Sequence, residues 1–81
     1  MRIIGTIPHP LMRISVFQLN MKLAIKLEAG LMEQTYKLRQ GEGMNGLEDV
    51  ADMLDDEFLD ACLERFKSMG ADLAACAKRR T

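Results

Sequence analysis

Residues 21–39, MKLAIKLEAGLMEQTYKLR, contain the most regular hydrophobic alternation in this chain of 81 residues. Leu23, Ile25 and Leu27 alternate with charged or small residues, which is the pattern of a strand with one buried face and one wet face. The Ala-Gly pair ending at Gly30 predicts a turn, after which the alternation resumes. A short connection between two such strands requires antiparallel pairing. This segment therefore predicts a β-hairpin with one apolar face.

Two further strands are predicted upstream of this hairpin. Residues 1–7 and 11–19 are rich in β-branched and other apolar side chains. The Pro-His-Pro sequence between them lacks two backbone donors and predicts a corner. Gln34 is the one polar residue on the apolar side of its strand. Residues 1–40 thus form a β-rich half, predicted to be a small antiparallel meander of three to four strands.

The second half of the chain has the pattern of helices. A Gly-Glu-Gly sequence interrupts the alternation, and residues 41–46 predict a linker. Apolar residues then recur at helical spacing from Leu47 to Leu54, which predicts a short amphipathic helix. A longer helix is predicted after Asp55, since acidic residues suit the positive end of a helix dipole. Its apolar stripe comprises Phe58, Leu59, Cys62, Leu63, Phe66, Met69 and Leu73.

Gly70 lies within the longer helical segment and leaves two alternatives open. The helix either ends there with a left-handed glycine cap, or continues at a cost of about 1 kcal/mol. The alanine-rich sequence after Gly70 favours continuation, so that residues 47–80 form a helical half. The apolar face of the sheet needs a cover. The sequence therefore predicts a single α+β domain over residues 1–81, with a short and a long α-helix packed on one face of a β-meander in two layers.

The small size of the chain makes additional stabilisation an important question. A domain of 9.1 kDa buries a modest share of its surface and is marginally stable alone. Cys62 and Cys76 are too far apart on a continuous helix for a disulfide, roughly 21 Å along its axis. His9 is the only histidine, and the cysteines lack a CxxC spacing, so no metal or cofactor is predicted. Self-association as a homodimer is the expected source of further stability.

The sequence predicts neither an enzyme nor a membrane protein. Cys62 falls on the apolar stripe of a helix, whereas His9 falls in a proline-bounded corner, so no nucleophile and base are predicted to meet. No apolar signal segment follows Arg2, and no stretch approaches the 18 apolar residues of a membrane span. Two reduced cysteines are typical of a cytoplasmic protein.

The leading functional hypothesis is a structural or protein-interaction module that self-associates. Some apolar side chains have no place in a core made of one sheet and two helices, so they predict an interaction surface. These residues are Leu11, Met12, Phe17, Leu31 and Met53.

An uneven charge distribution supports an alternative hypothesis. The net charge is −1, but residues 1–40 carry +4, residues 41–69 carry −7 and residues 70–81 carry +2. The alternative is a nucleic-acid-binding module that uses the outer face of the sheet. Phe17 and Tyr36 are expected inside the fold or at its edge, so an aromatic stacking platform is not predicted. The basic face would comprise Arg13, Lys22, Lys26, Lys37 and Arg39.

Overall fold

A computed structural model describes residues 1–80 as one antiparallel sheet with two helices on one side. The strands are β1 (Arg2–Ile7), β2 (Arg13–Leu19), β3 (Lys22–Ala29) and β4 (Met32–Arg39), in that order across the sheet. The helices are α1 (Leu47–Met53) and α2 (Asp56–Arg79). Thr81 lies outside the described residues. The predicted α+β fold, a meander followed by a short and a long helix, is confirmed.

The two hairpin turns use residues that tolerate left-handed backbone conformations. Asn20 has a φ of 55° in the β2–β3 turn, and Gly30 has a φ of 62° in the β3–β4 turn. Ala29 pairs with Met32, so the central residues of the second turn are Gly30 and Leu31. This turn is one residue later than the sequence pattern indicates. Leu31 consequently lies at a turn tip and is fully exposed.

A close contact between β1 and α1 requires a glycine. The register of β1 against β2 shifts between Ile3 and Gly5, which is a β-bulge. Gly5 then pairs with Val16 on the helix side of the sheet. A Cβ atom on Gly5 would overlap Cδ2 of Leu47 and lie 3.2 Å from its Cδ1. The absence of a side chain at Gly5 therefore lets α1 pack directly on the edge strand.

The core lies between the sheet and the helices, and β2 and β3 supply most of the buried residues on its sheet side. Met12 is only 6% exposed, which corrects its assignment to an interaction surface. It immediately precedes β2 and continues the inward alternation of Ile14 and Val16, so it packs with the core. The buried apolar cluster consists of Met12, Ile14, Val16, Leu23, Ile25, Leu27, Val50, Leu54, Leu59, Cys62 and Phe66.

Helix α2 begins at a side-chain cap and runs through Gly70. The Asp55 carboxylate accepts a hydrogen bond from the backbone N–H of Phe58 at 2.9 Å, which satisfies one of the free donors at the helix start. The helix continues without interruption to Arg79, so the alternative in which Gly70 ends it is excluded. Met32 Cε lies 3.5 Å from the position that a Gly70 Cβ would occupy. The helix therefore passes the first residue of β4 at this point.

The end of α2 projects beyond the sheet. A helix of 24 residues is about 36 Å long, whereas a strand of eight residues spans about 27 Å. Residues 71–79 of α2, here called the protruding segment, are all exposed. The radius of gyration is 14.6 Å, against about 12 Å for a compact domain of this length. Leu73 is 62% exposed, so its predicted place in the core-facing stripe is wrong.

Replacing Gly5 by Ala should lower the free energy of unfolding by about 1–3 kcal/mol, because the new methyl group overlaps Leu47. Denaturant unfolding measures this change. Gly41→Ala is the matched control, since no atom lies within 4 Å of its Cβ position. The double variant Gly5→Ala with Leu47→Ala should lose less free energy of unfolding than the sum of the two single variants, because Leu47→Ala removes the atoms that the new methyl group overlaps. A Gly5→Ala protein as stable as the wild type would contradict the close contact.

Candidate functional site

A polar network joins β4 to α2 inside the fold. Gln34 is 7% exposed, and its Nε2 donates a hydrogen bond to the backbone carbonyl of Cys62 at 2.9 Å. The Tyr36 hydroxyl donates to Gln34 Oε1 at 2.8 Å, and Arg65 donates to both of these oxygen atoms. Among residues 1–80, every buried side-chain N and O atom has a partner. The side chains of this network therefore satisfy one another's hydrogen bonds and connect α2 to β4.

Cys62 lies against this network but is not accessible to a substrate. Its side chain is fully buried, with Sγ 3.9 Å from the Tyr36 hydroxyl and 3.8 Å from Arg65 Nη1. The pKa of Tyr36 is raised, first by loss of water around the hydroxyl and then by the contact with Cys62. The Arg65 guanidinium acts in the opposite direction. The hydroxyl therefore keeps its proton at neutral pH and can donate it to Gln34.

His9, another residue considered for catalysis or metal binding, lies in the connection between β1 and β2. His9 Nδ1 accepts a hydrogen bond from the backbone N–H of Leu11 at 3.0 Å, which stabilises the connection between β1 and β2. Within residues 1–80, no three His, Cys, Asp or Glu side chains come close enough to hold a metal ion. An apolar cavity of about 260 Å³ lies where Met53 and Phe58 approach Leu38. Ligand pockets usually start at about 300 Å³ and contain convergent polar groups.

The protruding segment carries an apolar stripe out of the core and into solvent. Cys62 and Phe66 are buried, Met69 is half-buried, and Leu73 and Cys76 are exposed. These residues are separated by alternating steps of four and three, so they lie on one side of the helix. The first part of the stripe packs on the sheet, and the second part extends beyond the sheet. The amphipathic pattern thus predicts that Leu73 and Cys76 are buried, whereas both are exposed in the structure.

The structure does not bring the five predicted interaction residues together. Leu31 is fully exposed in the β3–β4 turn. Leu11 is 66% exposed in the β1–β2 connection, and Met53 is 40% exposed at the end of α1. Phe17 is on the opposite side of the sheet, and Met12 is buried. Leu73 was missed as a surface residue because its helical spacing is the same as that of a core residue.

The five predicted basic residues do lie on one side of the sheet, here called the outer face, which points away from the helices. Side chains alternate along each strand, so neighbours of the buried residues point outward. Phe17 also lies there: it pairs with Ile3 and Ala24 and is absent from the core cluster. Its predicted place inside the fold or at its edge is therefore wrong. The basic residues are Arg13, Lys22, Lys26, Lys37 and Arg39.

Comparisons of the chain with protein-family models, with curated proteins and with solved structures found no match. Neither helix in residues 1–80 is both long and apolar enough to cross a membrane. Two surfaces of this fold remain as candidate sites for recognition. They are the protruding segment and the outer face of the sheet.

The ionisation of Tyr36 provides a direct measurement of the buried network, because the chain has one tyrosine and no tryptophan. Absorbance of tyrosinate should give a native pKa above the value of about 10 found in denaturant. Folding then stabilises the protonated form, so this contribution is present below pH about 10 and is lost above the native pKa. Arg65→Met should raise the native pKa further. Equal midpoints in the native and denatured protein would contradict the network.

Proposed function

We propose that this protein is a small, non-catalytic interaction module that self-associates as a homodimer through the protruding segment. The observation that carries this proposal is the stripe of α2, which is buried at Phe66 and exposed at Leu73. A helix that continues one apolar stripe past its own core presents a surface suited to another helix. A second copy of the chain has the same stripe and can pack against it symmetrically.

The exposed surface of the protein is larger than expected for its mass, which supports a protein partner. The solvent-accessible surface is 5960 Å², whereas a compact protein of 9.1 kDa has about 4,900 Å². The excess of about 1,000 Å² resembles the roughly 800 Å² that each partner buries in a standard interface. Much of the difference comes from the elongated shape, 49 Å in its longest dimension. A dimer formed at the protruding segment would bury part of this excess surface.

The charges of the protruding segment favour antiparallel pairing. Asp72 lies near its beginning, and the basic residues Lys78 and Arg79 lie at its end. In an antiparallel pair, the acidic end of each helix is next to the basic end of the other, whereas parallel pairing would place like charges together. A two-fold axis near residue 75 would bring Leu73 to the partner's Ala77 and Cys76 to the partner's Ala74. The small alanines permit close approach of the two helices.

The sheet edges are less suited to self-association than the helix. The bulge in β1 bends that edge strand and interrupts its hydrogen-bonding pattern. The other edge strand, β4, carries Glu33, Lys37 and Arg39, and charged side chains discourage pairing of sheet edges. These features support the long helix rather than the sheet as the contact in the dimer.

A cytoplasmic location is part of the proposal. Cys62 is a buried free thiol and Cys76 is an exposed free thiol. An exposed thiol in a proposed helix pair persists most readily in a reducing compartment, where disulfides are rare. The self-association proposed here depends on apolar contact and does not require a disulfide.

Leu73→Glu should convert the dimer to a monomer, because it places charge at the centre of the proposed apolar contact. Light scattering after size exclusion should give a mass near twice 9.1 kDa for the wild type and near 9.1 kDa for this variant. Leu11→Glu is the matched control, since Leu11 is similarly exposed, 66% against 62%, but lies in the β1–β2 connection. A wild-type monomer, or a dimer lost only with Leu11→Glu, would refute the proposed interface.

Cys76 should act as a built-in reporter of the antiparallel arrangement. The two copies of Cys76 would be offset by only about 3 Å along the paired helices, so a short bismaleimide should join them. Denaturing electrophoresis would detect the covalent dimer. Cys76→Ser should abolish it, and Cys62→Ser should leave it unchanged because Cys62 is fully buried. A dimer in solution without this cross-link would exclude the arrangement.

A further inference from the structure

An uncompensated cluster of positive charge occupies one end of the outer face. Lys22 and Arg39 are direct cross-strand partners, and Lys37 precedes Arg39 by two residues on the same face. All three are exposed, and among residues 1–80 no ion pair involves any of them. They line an open groove of about 320 Å³ together with Leu38. Like charges directly opposite each other destabilise a sheet, so this arrangement suits an anion that bridges them.

The other end of the outer face is nearly neutral. Arg13 pairs in register with Glu28, and Lys26 Nζ lies 3.8 Å from the Glu33 carboxylate. Among the five basic residues of this face, only Lys22, Lys37 and Arg39 have neither an ion pair nor an acidic cross-strand partner within residues 1–80. The positive field of the face is concentrated at one end.

The acidic residues of the protein do not cancel this local field. Most of them belong to residues 48–60, which form α1 and the start of α2 in the opposite layer. Packed layers are about 10 Å apart, and the Debye length at physiological salt is about 8 Å. The net charge of −1 therefore conceals two faces of opposite sign.

An aromatic side chain lies next to the cationic cluster. Phe17 is half-buried on β2 and pairs with Ala24 on β3, which in turn pairs with Lys37 on β4. Ala24, which lies between Phe17 and Lys37, has a small side chain and is only 8% exposed. An aromatic ring on an open sheet offers a stacking platform to an unpaired base, and adjacent cations can hold its phosphates.

We propose that the outer face binds single-stranded nucleic acid, with Lys22, Lys37 and Arg39 on the phosphodiester backbone and Phe17 against a base. This activity goes beyond self-association. The outer face and α2 lie on opposite sides of the sheet, so a dimer formed through the protruding segment leaves it open. A single strand fits better than a duplex, because the bases of a duplex are already stacked and cannot reach Phe17.

Fluorescence anisotropy of a labelled oligodeoxythymidylate tests this proposal. Three neutralised phosphates should give a slope of about −2 in log affinity against log salt. The double variant Lys22→Gln with Arg39→Gln should reduce the slope to about −0.7. Arg13→Gln with Lys26→Gln removes the same types of residue from the neutral end and should change the slope little. Phe17→Leu should weaken binding about tenfold and leave the slope unchanged.

The controls separate a nucleic-acid site from simpler alternatives. Thermal unfolding of each variant verifies that the sheet is intact, and Leu73→Glu should retain binding because it lies outside the outer face. Inorganic polyphosphate is the probe that has phosphate charge without bases. Equal effects of the two double variants, no effect of Phe17→Leu, or equally tight binding of polyphosphate would each overturn the proposal. Absence of any binding at low salt would also overturn it.

Discussion

The buried amide of Gln34 determines where α2 lies along the sheet. A buried polar group without a partner costs about 1–3 kcal/mol, so the helix packs where the Cys62 carbonyl and Arg65 satisfy this side chain. Beyond the contact between Gln34 and Cys62, α2 continues much farther than β4 does. About 25 Å of α2 follow Cys62, whereas only about 7 Å of β4 separate Gln34 from Met32. The protruding segment is therefore a direct result of this register between helix and sheet.

The same packing divides the molecule into faces of different chemistry. Helices cover only one side of the sheet, so the other side keeps its lysines and arginines in contact with solvent. Most of the acidic residues lie on the helices, where several occupy first turns and complement the helix dipoles. A net charge close to zero is thus compatible with two strongly charged surfaces. The proposed self-association at the end of α2 and the proposed nucleic-acid binding on the outer face use separate parts of this arrangement.

Much of the fold could be predicted because it depends on local patterns. The alternation around Leu23 and Leu27 defines which face of the hairpin is buried, and Asp55 provides a side-chain cap wherever the helix packs. The basic residues were predicted to share a face for the same reason, since side-chain direction alternates along any strand. Gln34 appeared as a mismatch in the pattern, and its partners became evident only when α2 was placed over it.

The sequence by itself determined the secondary structure, the connectivity of the meander and the segregation of charge, because these follow from periodicity and composition. The tertiary structure decided the exposure of Leu73 and also which face of β2 packs on the helices, and that choice buries Met12 and turns Phe17 outward. Exposure depends on how far one element extends over another, and an amphipathic stripe has the same spacing whether or not a sheet lies beneath it. The relative lengths and register of α2 and the sheet, set by contacts between distant residues, therefore determined which apolar side chains remain available for a partner.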